Sequence, residues 1–377
     1  MGETHFVDLI HNALRVAKHC DKLFSNLFVG CSMRFSEQSL SSQTAYAELF
    51  EQTRAFELSN ALAGLSGSFQ KLQRKNQEYW YWAFRDVNQQ VRMLYVGPDD
   101  DRVRALVALF EQTKRTKPLE PAALSALALG NIATAPKHFR MIKRLSDYGF
   151  FRAGGVLIGT HAFLVMANLL GVKWHDGAAT LDVDFAHAGK NISVALPADL
   201  KIDVHDALTS LEMGLLPITQ FNGKVGAQYR NPQDAELRID FVTSMNRSDK
   251  PVMIPNLNIA LEPLKFMEFS LQDTTQACVI SRTGACTVNI PAPQRYAVHK
   301  LIVYGERPLS ERAKSTKDIL QAASLASYFL ATGQANVLNT AWQDATNRGK
   351  GWQSRAKQGL EALLRAAPEL DVAELWS

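Results

Sequence analysis

Three aspartates stand where their spacing could do chemistry. Asp182 and Asp184 lie two apart in Leu181-Asp182-Val183-Asp184-Phe185, and Asp240 lies in Glu236-Leu237-Arg238-Ile239-Asp240-Phe241-Val242. Both segments alternate apolar and polar residues. On a strand, Leu181, Val183 and Phe185 face a core while Asp182 and Asp184 share the opposite face. The second segment repeats this, with Leu237, Ile239 and Phe241 inward and Arg238 and Asp240 outward. Two carboxylates that close repel each other unless a cation lies between them or water screens them. Alone, an Asp-x-Asp pair is more readily a solvated strand edge. If the two strands are neighbours in one sheet, three carboxylates converge, and such oxygen ligands suit Mg²⁺. Three acids on adjacent strands can hold two metal ions for in-line phosphoryl or nucleotidyl transfer, one at the attacking oxygen and one at the leaving group.

Other residues could serve phosphate. Val156-Leu157-Ile158 reads as a short apolar strand, followed by Gly159-Thr160 and a helix, HAFLVMANLLG, apolar nearly all round and so buried. A glycine at such a turn lets the backbone approach a phosphate, whose charge the helix N-terminus favours. Thr160 can cap that helix and offer a hydroxyl. Gly154-Gly155 precede the strand, so the phosphate role falls to Gly159-Thr160. Lys300, Arg307, Arg312, Lys314 and Lys317 cluster in the C-terminal third, where a charge run is ordinarily a solvated face. Asp203, His205 and Asp206 could be read as a metal set, but helix faces routinely carry such groups.

The elements that must position these residues follow from periodicity. Residues 5–20 and 42–65 read as helices. Residues 78–97 read as an aromatic hairpin, with Tyr79, Trp80, Tyr81, Trp82 and Tyr95 on two strands around a turn. One face of it packs; the other is either half exposed or a stacking platform for a base. Residues 100–115, 119–130 and 136–149 read as helices, as do 202–213, 295–305, 310–330, 333–346 and 352–366. Strands at 215–221 and 225–229 flank Asn222-Gly223, a hairpin turn signal; 277–280 and 286–290 form another hairpin. The expected domains are a mostly helical N-terminal module (1–150) with the hairpin, a catalytic core (151–293) and a C-terminal helical region (294–377).

Composition bounds the class. The chain has 377 residues, 46% hydrophobic and 21% charged, with 41 basic and 37 acidic residues giving a net charge of +4. That is ordinary for a globular protein and too mild to argue a nucleic-acid partner. Cys20, Cys31, Cys278 and Cys286 form no metal-binding spacing and suit a reducing compartment. The first twenty residues carry acids and histidines within their apolar pattern, so neither a signal peptide nor a membrane span is expected, and the expected location is cytoplasmic.

A glycine-containing turn before a helix, Asp-x-Asp, then a later single Asp on a strand resembles the DNA polymerase β-type nucleotidyltransferase superfamily. GTHAF, the LDVDF strand and PAPQRYAVHKLIV resemble an uncharacterised bacterial nucleotidyltransferase-fold family related to AbiEii-type toxins of toxin–antitoxin and phage-defence systems. The YWYWAF…YVGP hairpin is similar to that family's N-terminal module, and the likeness covers roughly residues 65–330. It implies an α+β fold, with a polymerase β-like core of mixed sheet and helices between helical N- and C-terminal regions. It also implies an Mg²⁺-dependent nucleotidyltransferase, with NTP as substrate and two ions on Asp182, Asp184 and Asp240. Gly159 and Thr160 would hold phosphate. Lys300 (in HKLIV) and Lys317 would hold the triphosphate, and Asp318, beside Lys317 in STKDILQ, would orient a lysine or accept the acceptor's proton. RNA, such as a tRNA 3′ end, is the acceptor the resemblance suggests, with a protein or small molecule behind it, and an antitoxin-like protein as a partner. Two features depart from the family pattern: Thr160 replaces a Gly or Ser, and WHDGAAT lengthens the spacing from Gly-Thr to Asp-x-Asp.

Overall fold

The computed structural model describes residues 33–63, 67–74, 77–85, 91–105, 107–108, 119–177, 180, 182–188, 202–219, 225–245, 250–308 and 312–370. The helix expected at 5–20, Leu181 and the Asn222-Gly223 turn lie outside them. In chain order the first elements are β1 (Phe35–Glu37), α1 (Leu40–Ala63), β2 (Gly67–Arg74), β3 (Gln77–Arg85), β4 (Val91–Pro98), α2 (Leu119–Ala128) and α3 (Pro136–Asp147). The core follows with β5 (Gly155–Leu157), α4 (Gly159–Leu169), β6 (Val172–Trp174), β7 (Asp182–His187), α5 (Val204–Thr209), β8 (Leu216–Thr219), β9 (Val225–Asn231) and β10 (Asp234–Ser244). Then come β11 (Val252–Ile254), β12 (Ile259–Leu264), α6 (Met267–Leu271), β13 (Thr274–Ser281), β14 (Gly284–Pro291), α7 (Pro293–Glu306), α8 (Arg312–Ala331), α9 (Ala335–Thr346) and α10 (Lys350–Ala366).

The two aspartate strands are neighbours. β7 and β10 run parallel with Asp184 opposite Asp240 and Asp182 opposite Arg238. They sit within a mixed sheet ordered β11-β12-β10-β7-β5, with β9 pairing the first half of β10 and β8 pairing β9. The inward residues behave as the alternation requires: Val183, Phe185, Ile239 and Phe241 are fully buried, and Phe185 stacks on Phe241 at 5.4 Å. Each such burial is worth about 1.5–3 kcal/mol, so a one-residue slip of either strand, which would turn the carboxylates inward, is excluded. Mixed sheet and helices give an α+β protein, as expected.

The aromatic hairpin needs correction. It is two strands of a three-stranded antiparallel sheet, β2-β3-β4, because GSFQKLQR, too polar to stand out as a strand, pairs in full register with the YWYWAF strand. The short strand β6 was likewise unforeseen. It pairs with β1, and its Trp174 stacks on Phe163 of α4 at 4.8 Å while donating from Nε1 to the Phe163 carbonyl.

The four C-terminal helices, α7 to α10, pack together, and α7 faces the aspartate strands across a cavity. α7 begins at Pro293, which lacks the N–H a first-turn residue does not need. It packs against α8 and α10. A Cβ on Gly359 of α10 would lie 2.2 Å from the Leu301 carbonyl oxygen, so only glycine permits that approach. Trp352 packs as expected, against Phe266 and Phe269. Among the described residues no helix is long and apolar enough to cross a membrane.

Candidate active site

Strand geometry alone assembles the acids. Asp182 and Asp184 project from one face of β7 and Asp240 from the same face of β10, and ligand oxygens of all three lie within 4.8 Å of one another. Among the described residues this is the one group of three or more His, Cys, Asp or Glu side chains that could hold a metal ion. The Asp203, His205 and Asp206 set does other work. Asp203 caps α5 through the Asp206 amide and accepts from Asn258, His205 meets the Tyr229 hydroxyl at 3.1 Å, and Tyr148 donates to Asp206.

The three carboxyls differ in electrostatics. Burial raises the Asp184 carboxyl to about 7, and the charges of Asp182 and Asp240 add to it, while Lys300 and Lys317 partly offset the rise. Burial also works against a charged Asp182. Its pKa nevertheless falls below the ordinary value because Thr180 donates to it at 2.7 Å and Lys317 and Arg238 lie nearby. Arg238 forks onto Asp240, with Nη2 at 2.6 Å and Nε at 3.2 Å. Three converging oxygens, one of them reluctant to ionise without a counter-charge, fit a hard divalent cation such as Mg²⁺.

Gly159 joins this group from α4. Its φ is +61°, and a Cβ there would sit 2.3 Å from the Asp184 Oδ2. The glycine therefore both turns the chain and lets the helix start against the carboxylate. Thr160 does not cap the helix. The cap position is Ile158, whose side chain makes no capping hydrogen bond. The Thr160 hydroxyl is buried and accepts from Gln321 Nε2 at 3.3 Å, so it is committed within the fold. Gln321, which sequence reasoning did not single out, also donates to the Gly177 carbonyl at 2.8 Å, and Tyr296 donates to the Gly159 carbonyl at 2.8 Å.

Cations approach from α7 and α8. Lys300 Nζ meets Asp318 Oδ1 at 2.7 Å and Arg307 Nε meets Asp318 Oδ2 at 2.8 Å. Asp318 is 1% exposed, and both its oxygens are committed to these two cations. Burial opposes the charge on Lys300, but Asp318 more than compensates and holds its pKa above the ordinary lysine value. Burial likewise opposes a charged Asp318, yet Lys300 and Arg307 hold it below the ordinary carboxyl range. The side chains of Arg312 and Lys314 lie outside the described residues. Arg307 had only a general place in the basic cluster; its pairing with Asp318 joins residues eleven apart across a helix junction, which periodicity does not reveal.

A cavity of about 270 Å³ opens beside the acids, lined by Gly159, Asp184 and Asp240 on one side and by Tyr296 and Lys300 of α7 with Arg307 just past its end on the other. A larger one, of about 450 Å³, is lined by Arg152 and otherwise uncharged residues and contains none of these groups. The chain also matches a family model described as Nucleotidyltransferase over residues 137–347, more than half its length. The chain belongs to this nucleotidyltransferase family. No curated protein matches it, and no solved structure matches it. The matched segment contains all three aspartates, Gly159, Lys300, Lys317 and Asp318, so the acid cluster and its cations lie within the nucleotidyltransferase region.

Proposed function

We propose that this nucleotidyltransferase moves a nucleoside monophosphate from an NTP to an acceptor hydroxyl. The acceptor oxygen bonds to the α-phosphorus, the bond from that phosphorus to the pyrophosphate oxygen breaks, and the hydroxyl proton passes to water. Asp182, Asp184 and Asp240 would hold Mg²⁺, two ions in the full site. When bound, Mg²⁺ supplies charge neutralisation to the phosphates and acidity to the attacking hydroxyl. Gly159 and the backbone of Thr160, at the start of α4, receive phosphate oxygens. Lys317 and Lys300 neutralise the triphosphate as charge grows on the leaving pyrophosphate. Asp318 fixes Lys300 and Arg307 instead of taking the acceptor's proton, since both its oxygens already accept charged hydrogen bonds.

The observation that carries this reading is the in-register pairing of Asp184 with Asp240 beside a glycine whose Cβ would press on the Asp184 carboxylate. RNA, such as a tRNA 3′ end, is the proposed acceptor. The sheet β2-β3-β4 supports a polynucleotide: Tyr95 is 57% exposed, lies 5.9 Å from Tyr79 and 5.6 Å from Tyr81, and Arg74 sits over Tyr81. The resemblance to AbiEii-type toxins supports a toxin or defence setting with an antitoxin-like partner, and the proposed location is the cytoplasm. The test is to incubate purified protein with α-labelled NTPs, Mg²⁺ and cell lysate, then separate RNA, protein and small molecules. Label in RNA supports the acceptor; label in protein or small molecules replaces it; no label in any pool, with wild type equal to Asp182→Asn, removes the activity.

A further inference from the structure

The sheet face that carries the acids continues past β10 onto β9 and β8. Residues opposite one another on neighbouring strands share a face, so two rows of side chains cross it. One row runs Asp182, Arg238, Arg230 and Leu216 on β7, β10, β9 and β8; the other runs Asp184, Asp240 and Gln228. Neither Arg230 nor Leu216 lines the cavity beside the acids, so this surface is separate from the phosphate space.

The first row carries an unbalanced charge. Arg238 and Arg230 stand directly opposite each other, where like charges repel. Arg238 is compensated by Asp240. Among the described residues Arg230 makes no ion pair; it is exposed, and its side chain donates only to Gln228 Oε1, at 3.4 Å. An anion resting on Arg230 relieves that repulsion through charged hydrogen bonds. On its other flank Leu216, 57% exposed, holds an apolar side chain in water on a strand that pairs with β9 alone among the described residues. With strands about 5 Å apart, Arg230 stands roughly 10 Å and Leu216 roughly 15 Å across the sheet from Asp182. A cation and then an apolar side chain, in that order outward from the acids, match a polynucleotide whose terminal hydroxyl sits at the acids. Next along such a chain comes a backbone phosphate, and beside it a base with an apolar face. An acceptor protein carries no anion at a fixed distance from its hydroxyl.

We propose that the β10-β9-β8 face is the acceptor track, where Arg230 binds a backbone phosphate close to the RNA 3′ end and Leu216 packs under an adjoining base. This rests on the nucleotidyl-transfer reading and names the surface that its acceptor uses. Full-length wild type, Arg230→Gln, Leu216→Ser and, as a control at an exposed position in the β13-β14 turn, Arg282→Gln are titrated with a fluorescent single-stranded oligoribonucleotide over a salt series. The same proteins are titrated calorimetrically with the four α,β-methylene NTPs and Mg²⁺. Arg230→Gln should weaken RNA binding at least fivefold at low salt and flatten the slope of log affinity against log salt by about 0.7, the loss of one single-strand phosphate contact. Leu216→Ser should weaken RNA binding at every salt concentration and leave the slope unchanged. Arg282→Gln should match wild type, and every variant should bind the nucleotide analogues within twofold of wild type. Wild-type affinity and slope in Arg230→Gln, or an equal loss in Arg282→Gln, overturns the inference and leaves nucleotidyl transfer standing. Wild type that binds the analogues but no RNA also overturns it, and label passed to protein in a lysate then assigns the face to a protein acceptor. Wild type that binds neither RNA nor the analogues overturns both.

Discussion

At the scale of single residues, Gly159 and the acids decide most. Replacing Gly159 by alanine places a Cβ 2.3 Å from Asp184 Oδ2 at a φ of +61°. The left-handed conformation alone costs about 1–2 kcal/mol, and the displaced carboxylate costs function as well. Gly159→Ala should lose at least a hundredfold in transfer rate, read with labelled NTP, and melt at lower denaturant than wild type. Asp182 and Asp184 were legible because alternation puts them on one face. Asp240 was legible only on the assumption that its strand lies next to theirs. Gln321 and Arg307 were not, because their roles depend on partners that no periodicity in the chain foretells: Gln321 reaches Thr160 across 161 positions.

At the scale of elements, one buried acid ties the end of α7 to α8, beside the Tyr296–Gln321 hydrogen bond between the same helices. Asp318 is 1% exposed between Lys300 and Arg307, so Asp318→Asn leaves two cations under-compensated in the interior. Breaking a buried pair from one side costs about 3–5 kcal/mol. Urea unfolding should show a loss of that order for Asp318→Asn and a smaller one for Asp318→Asn combined with Lys300→Met, since the second change removes the stranded charge. Strictly additive losses would mean that the pair does not couple the helices. The strands that carry the acids were readable because one buried face forces strict alternation. β1, β2, β6, β11 and β12 escaped for want of such alternation. β1, β6 and β11 are three residues long, β12 is broken by Glu262 and Pro263, and β2 is largely polar because it serves a small sheet with much of its surface in water. The helices from 295 onward kept their boundaries to within a few residues, since proline starts and 3.6-residue periodicity mark them.

At the scale of the whole molecule, histidines that burial holds neutral make stability fall toward acid. Burial pushes His161 down to about 3, with the His138 ring beside it adding to the effect, and burial likewise pushes His299 down to about 3. Both pKa values are depressed by folding, so between about 3 and 6.5 the unfolded chain binds more protons than the folded one. Stability therefore falls as pH drops through that window, by about 2 kcal/mol per histidine at pH 5. Melting temperature measured from pH 7 to pH 5 should decline, and His299→Gln should flatten part of that slope; an unchanged slope would show that His299 is not held neutral. The same compactness that buries these rings closes α7 over the sheet and brings the cations of the C-terminal third to aspartates more than fifty residues upstream.

The central claim is that Asp182, Asp184 and Asp240 direct nucleotidyl transfer, and the position of the transferred label tests it most directly. Parallel reactions with α-labelled and γ-labelled NTP, Mg²⁺ and RNA should place the α-label on the acceptor and release the γ-label as pyrophosphate, with Asp240→Asn reduced at least a thousandfold. Transfer of the γ-label to the acceptor, or Asp240→Asn as active as wild type, would contradict the account.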